Sequence, residues 1–262
     1  VSDIHPTAII HPDAELGADV QVGPHAVIHE RTRIGDRCRI GAFSTVHPGV
    51  SMGEGNQVFE HVVLGGAPQD LVFDPDCPSS VEIGSNNQFR EFSTVHRSTR
   101  ENEPTRIGSD CFFMLSAHVA HDCVVEDRVI MANYTALAGH VQIGARAFLS
   151  GHVLIHQFTR IGRLSMIAGL TAVVKDVLPF HLLGRDPAVH YGLNRVGLKR
   201  AGVEGERYRE LEAAWRVLRS GGKAEELQGT GEEVAYLKAW LSEPSKRGHC
   251  TFLRPGMRRG SV

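Results

Sequence analysis

The sequence predicts an all-β solenoid, a parallel β-helix of six-residue repeats with a C-terminal α-helical appendage. Three observations predict it: an aliphatic residue at every sixth position, a small or β-branched residue two places before it, and a glycine-rich, aromatic-poor composition. The 262 residues include 28 Gly and only 6% aromatics, a balance suited to a narrow core of aliphatic and small side chains. The length accommodates one elongated domain and an appendage.

Stepping by six from Ile4 gives Ile10, Leu16, Val22, Ile28, Ile34, Ile40, Val46, Met52, Val58 and Leu64 without exception, a period diagnostic of repeat architecture. The register breaks, resumes at Ile83, Phe89 and Val95, lapses at Glu101, and runs from Ile107 to Val173. Two loops, near 65–82 and 96–106, therefore interrupt one solenoid over 1–180. Small residues such as Ala26, Thr32, Cys38, Ser44, Ala117 and Cys123 precede the aliphatic ones by two, and strand alternation turns both positions inward. Glycine often follows, as at Gly17, Gly35, Gly53, Gly108, Gly144 and Gly162, which predicts a corner in need of backbone freedom.

The hexad disappears after Pro179, and residues 181–262 read as a helical domain with a tail. Tyr208, Leu211, Trp215 and Leu218 mark one face of a helix ended by Gly221 and Gly222, and Val234, Leu237 and Leu241 mark a second. The tail from Pro244, with Gly248, Pro255 and Gly260, has no periodicity and reads as irregular.

Composition excludes several classes. No apolar run is long enough to span a bilayer, the longest candidate being Leu164 to Val174, and Val1 to Pro6 bears no export signal, so a cytoplasmic location is expected. The five cysteines, Cys38, Cys77, Cys111, Cys123 and Cys250, show no CxxC spacing and read as reduced packing residues. No metal, cofactor or nucleic-acid partner is expected. Net charge is −2, yet residues 195–262 carry 14 Lys and Arg against 9 Asp and Glu, which makes the C-terminal part basic.

Most histidines, including His5, His11, His25, His29 and His47, fall in outward slots and read as solvated. The stretch Ser116 to Cys123 differs, because it contains His118, His121 and Asp122. The hexads resemble those of hexapeptide-repeat proteins, which implies that residues 18 apart stack at roughly the 4.8 Å spacing of paired strands, so that His140 lies on Asp122 and Gly139 on His121. That supplies a base at His121, a carboxylate to orient it, and a residue without a side chain where substrate approaches. A free backbone N–H there would serve a developing oxyanion. Cys123 falls in an inward slot, so no nucleophile flanks the base, and direct transfer to a bound acceptor is expected.

The hexads resemble the hexapeptide-repeat proteins, a resemblance that implies left-handed triangular coils and a trimer. Ala117 to Cys123, Leu137 to Val141 and His156-Gln157-Phe158 resemble the signatures of the UDP-N-acetylglucosamine O-acyltransferase family. Gln69-Asp70-Leu71, Val95-His96-Arg97, Lys175-Asp176-Val177 and Asn194 to Arg200 match it in order and spacing. The resemblance implies transfer of a 3-hydroxyacyl group from acyl carrier protein to the 3-hydroxyl of a UDP-sugar, the first step of lipid A synthesis, with His121 as general base and Asp122 orienting it. Gly139 N–H would stabilise the tetrahedral intermediate, and His118, His140, His156 and Gln157 would position sugar and thioester. Gln69, Asp70, His96, Asn194 and Arg200 join the substrate-binding set, and Gly169 resembles the residue that limits the acyl groove. In the family such residues meet in a cleft between subunits.

Three positions depart from the family pattern: Val72 replaces a Lys, Val196 a Glu and Ala201 an Arg. They leave open a modified acceptor such as a 3-amino UDP-sugar, or a scaffold without activity. A γ-carbonic-anhydrase-like metal hydrolase is the other class on this architecture, but His118 and His121, three apart on a strand-like segment, suit chelation of one ion poorly.

Overall fold

Each hexad forms one short strand in the computed structural model, which describes residues 3–253. Consecutive strands enter different sheets, and three parallel sheets result. The first runs from Asp3–Ile4 to Met166–Ile167, the second from Ile9–Ile10 to Ala172–Val173, and the third from Glu15–Leu16 to Arg160–Ile161. One strand per sheet per coil gives a triangular section. Partners follow the coil length, Gln21 lying opposite Arg39 and Ala136 opposite Leu154.

The aliphatic positions from Val22 to Val173 are all buried, together with the preceding Ala26, Thr32, Cys38 and Ser44. Each fully buried aliphatic side chain contributes about 1.5–3 kcal/mol, and stacking coils makes that burial continuous along the axis. The first coil differs. Ile4 is 43% exposed because among the described residues no coil lies beneath it.

The corner glycines have a different reason from the expected one. Gly17, Gly35, Gly53, Gly108, Gly144 and Gly162 have no positive φ; the left-handed residue comes two places later and is often large, as at Arg37 (56°), Phe43 (58°) and Arg146 (58°). A Cβ at Gly35 would lie 2.5 Å from the carbonyl carbon of Gly53, and one at Gly144 2.5 Å from Arg163 N. Glycine is there because neighbouring coils approach backbone to backbone, and the strain of the left-handed corner falls on other residues.

Residues 67–80 and 97–104 leave the coil between strands of the second and third sheets. Pairing continues across both insertions: Val58 sits opposite Phe89, and Val95 opposite Val119.

The helical part begins later than the hexad pattern implied. Strands His181–Gly184 and Val189–Leu193 form an antiparallel hairpin that extends the first sheet, and a hairpin needs no hexad. Helices α1 (Arg195–Arg200), α2 (Gly205–Arg219) and α3 (Glu232–Ser242) follow, packed around Phe180, Leu198, Leu211, Val234 and Leu237. The segment after Pro244 is irregular but pinned: Cys250 N donates to Asp176 O (2.9 Å) and His190 N to Thr251 O (2.8 Å). Pro255 and Gly260 lie outside the described residues. Among the described residues no helix is long and apolar enough to cross a membrane, and all five cysteines are free.

Candidate active site

The second and third sheets meet at a corner formed by Ala120-His121-Asp122 in one coil and Ala138-Gly139-His140 in the next. The coil's own hydrogen bonds set the stacking, since His140 N donates to His121 O (3.0 Å) and Phe158 N to Gly139 O (3.2 Å). Asp122 and His140 occupy the left-handed position, with φ of 59° and 60°, and so turn their side chains out of the core. Gly139 covers the His121 ring: a Cβ there would fall 2.4 Å from Cε1 and 2.7 Å from Nε2.

His121 Nδ1 lies 2.7 Å from Asp122 Oδ2. An ionised carboxylate only accepts, so Nδ1 donates, and in the neutral ring Nε2 then carries the lone pair. Burial pushes the Asp122 carboxyl up, but hydrogen bonds from His121, Ser98 and Thr99 outweigh it and hold the group well below the usual carboxylate range. Ser98 Oγ (2.6 Å) and Thr99 N (3.0 Å) donate to Oδ1, and Thr99 Oγ1 (2.8 Å) donates to Oδ2. His140 Nε2 stands 3.5 Å from Oδ2, with its ring stacked on Phe158 at 4.5 Å.

His118 and His96 lie one coil position away and make an edge contact at 4.7 Å between ring centres. Burial lowers both, His96 to about 4, helped by neighbouring histidines. His118 Nδ1 is 2.7 Å from Thr94 Oγ1, while His96 Nδ1 is buried without a partner. His156 and Gln157 sit exposed one coil beyond Gly139. Burial pushes the Cys123 thiol up to about 12, and its Sγ faces Ala138 O at 3.2 Å. It is an inert packing group and no nucleophile.

The other expected site residues lie elsewhere in this chain. Asn194 and Arg200 border a groove of about 520 Å³ on the outer face of the first sheet, with Phe148, Met166 and Leu182 on its floor. In the triangle that face is opposite the His121 corner. Asn194 also serves the structure, as its Oδ1 accepts from Gly197 N (3.0 Å) to cap α1 and its Nδ2 donates to Leu164 O (2.8 Å). Arg200 is exposed. Gly169 belongs to the corner between first and second sheets. Gln69 and Asp70 are in the first insertion, where Asp70 Oδ1 accepts from Val72 N (3.0 Å) and the tip residues Leu71 and Val72 project fully into solvent.

Ser98, Thr99 and Thr105, whose Oγ1 accepts from Asp122 N at 2.9 Å, escaped the sequence reading. The stacking rule of 18 fails across the second insertion, where the offset is 24; correcting for the lapse at Glu101 would have put Ser98 beneath Asp122. His121, Asp122 and His140 also bring three potential metal-ligand atoms within 4.8 Å of one another. The carboxylate is already filled by donors, which suits orienting an imidazole better than binding an ion.

A solenoid of hexads with an imidazole–carboxylate pair at one corner places the chain among the hexapeptide-repeat proteins, and residues 31–58 match the family model "hexapeptide repeat of succinyl-transferase". Residues 176–260 match "UDP N-acetylglucosamine O-acyltransferase, domain 2". An acyl-[acyl-carrier-protein]–UDP-N-acetylglucosamine O-acyltransferase of Anaeromyxobacter sp. is 40% identical over 98% of each chain. The protein of that name in Gloeothece citriformis is 46% identical over 64% of this chain and 60% of its own length. The solved UDP-N-acetylglucosamine acyltransferase from Campylobacter jejuni superposes with a TM-score of 0.90 at 32% identity, covering 96% of this chain and all of that one. The chain belongs to the acyl-[acyl-carrier-protein]–UDP-N-acetylglucosamine O-acyltransferase family, a family of enzymes.

Proposed function

We propose that the protein transfers a 3-hydroxyacyl group from acyl carrier protein to the 3-position of a UDP-N-acetylglucosamine-type sugar, the first step of lipid A synthesis, with His121 as general base. The observation that carries this is the 2.7 Å contact between His121 Nδ1 and Asp122 Oδ2, which in the neutral ring leaves the Nε2 lone pair beneath Gly139. Nε2 takes the proton of the sugar 3-hydroxyl as its oxygen attacks the thioester carbonyl, and Asp122 stabilises the imidazolium. Gly139 N–H, which has no hydrogen-bond partner among the described residues, would stabilise the tetrahedral oxyanion. Collapse breaks the C–S bond, and His121 returns the proton to the departing carrier thiolate.

The working unit we infer is a trimer. His121 occupies one corner of the triangle, and Asn194 and Arg200 border the groove on the opposite face, so one substrate meets both sets only if the corner of one subunit faces the groove of the next. Such a contact is head-to-tail and closes as a ring. His96, His118, His140, His156 and Gln157 would then position sugar and thioester on one wall, with Gly169, Gln69 and Asp70 completing the cleft from other corners and loops.

Val72, Val196 and Ala201 lie in the acceptor-binding segments, and losing a charged hydrogen bond costs about 1.5–3 kcal/mol. That motivates one second reading, an acceptor with a 3-amino group. A mass-spectrometric screen of UDP-N-acetylglucosamine and its 3-amino analogue against a series of 3-hydroxyacyl carrier thioesters decides it. O-acylated product supports the main reading, N-acylated product the second, and no product with either refutes both.

A further inference from the structure

We infer that Ser98 and Thr99, at the start of the second insertion, are positioning residues that lock the Asp122 carboxylate in the orientation His121 requires. The insertion lengthens one coil from the usual offset of 18 to 24 residues. Ser98 and Thr99, its second and third residues, both bond the Asp122 carboxylate at the corner. Ser98 is fully buried, and its N–H and Thr105 N–H both donate to Ser80 O (3.2 Å). That fixes the backbone on which the two hydroxyls are mounted.

The carboxylate is saturated. Oδ1 accepts from Ser98 Oγ and Thr99 N, and Oδ2 accepts from Thr99 Oγ1 and His121 Nδ1, which accounts for about the four acceptor sites that a carboxylate offers. Rotation of Asp122 about its last side-chain bond would break all four bonds, so a single orientation is held. Thr99 Oγ1 and His121 Nδ1 share one oxygen, which couples the hydroxyl directly to the ring. The carboxylate side chain is 8% exposed, so water does not readily replace a lost donor. Removing the hydroxyls leaves Asp122 free to turn from His121, and the ring is then free to adopt the tautomer with hydrogen on Nε2, which cannot act as base.

This rests on the reading of His121 as base, and the test separates the two. The variants are Ser98→Ala, Thr99→Val, their double, and Thr99→Ser, which restores the hydroxyl without the methyl. With carrier thioester and UDP-sugar as substrates, each deletion should lower kcat about tenfold and the double about a hundredfold, with both KM values within about twofold. Thr99→Ser should recover to within about threefold of wild type. In an Asp122→Asn background the same deletions should cost little more, since they act through that carboxylate. Nitrogen-15 histidine spectra should show His121 shifting from the Nδ1–H tautomer to a mixture in the double variant.

Equal losses in Thr99→Val and Thr99→Ser, losses that multiply with Asp122→Asn, or a folded double variant with wild-type kcat would each overturn the clamp. Should the double fail to fold, the Thr99→Val and Thr99→Ser pair decides. If His121→Ala is inactive while the clamp variants are not, only the clamp fails; if His121→Ala turns over normally, the base assignment fails.

Discussion

Gly139 lies directly over the imidazole of His121, so close that a β-carbon on it would stand 2.4 Å from Cε1. Its φ is not in the left-handed region, so an alanine there is unstrained in backbone terms and its only penalty is contact with the ring. Gly139→Ala should therefore fold normally and lower kcat by about a hundredfold, the scale of an ångström-sized misplacement of a reacting group. A thermal midpoint near wild type with this loss supports the arrangement. Full activity would mean the ring is not held there during turnover.

His121→Ala should lower kcat by roughly 10²- to 10⁴-fold and leave assembly intact, because the inward positions that hold the coil are Val119 and Cys123. Asp122→Asn should fall at the low end of that range, about a hundredfold, since the base remains and only its orientation suffers. Steady-state kinetics with size-exclusion chromatography checks both. A folded His121→Ala protein with appreciable turnover contradicts the assignment.

Chain-length selection is expected to depend on Gly169. A Cβ there meets only Gly151 O at 3.2 Å and Ser150 Cβ at 3.9 Å, so a larger side chain needs only a small adjustment. The wild type should prefer a longer 3-hydroxyacyl chain, and Gly169→Met one several carbons shorter. The preference should shift by tens-fold to a few hundred-fold, since each methylene is worth about 1–3 kcal/mol. Equal loss on short and long thioesters would show a structural glycine.

Docking of the acidic carrier is expected on the basic C-terminal region, for which the sequence offers Lys199, Arg200, Arg207, Arg216 and Arg219. The structure narrows the set. Arg207 is paired with Glu233, Arg216 binds Glu212 at 3.1 Å, and Arg219 lies over the Trp215 ring. Lys199 and Arg200 are exposed in the last turn of α1. Lys199→Glu should raise the carrier's KM severalfold with kcat retained, and an unchanged KM would argue for docking elsewhere.

Acid should weaken the fold through buried histidines. Burial lowers His181 to about 4 and His190 well below its usual value, so the unfolded chain takes up protons first. The stabilisation is full above about pH 6.5 and declines as pH falls toward 4, by up to about 1.4 kcal/mol per pH unit for each histidine. Urea unfolding at pH 7 and pH 5 should show the decline, and His181→Phe should flatten it by about one proton. An unaltered slope would mean that His181 does not titrate across this window.

The sequence by itself determined the solenoid, because a period of six with an inward aliphatic residue has one economical way to bury that stripe. With the three-hexad coil that the likeness to hexapeptide-repeat proteins implies, it also placed Gly139 after His121 up the coil. The hairpin at 181–193 was hidden because antiparallel pairing needs no hexad, and the corner glycines were misread because close approach between coils is a property of two segments. Only the tertiary structure decided how Ser98 and Thr99 grip Asp122, as an insertion resets the stacking offset from 18 to 24. It likewise decided that Asn194 and Arg200 lie opposite the His121 corner. Sheet membership is set by how three strands close each turn, and no spacing along the chain states which side of the triangle a later helix will cover.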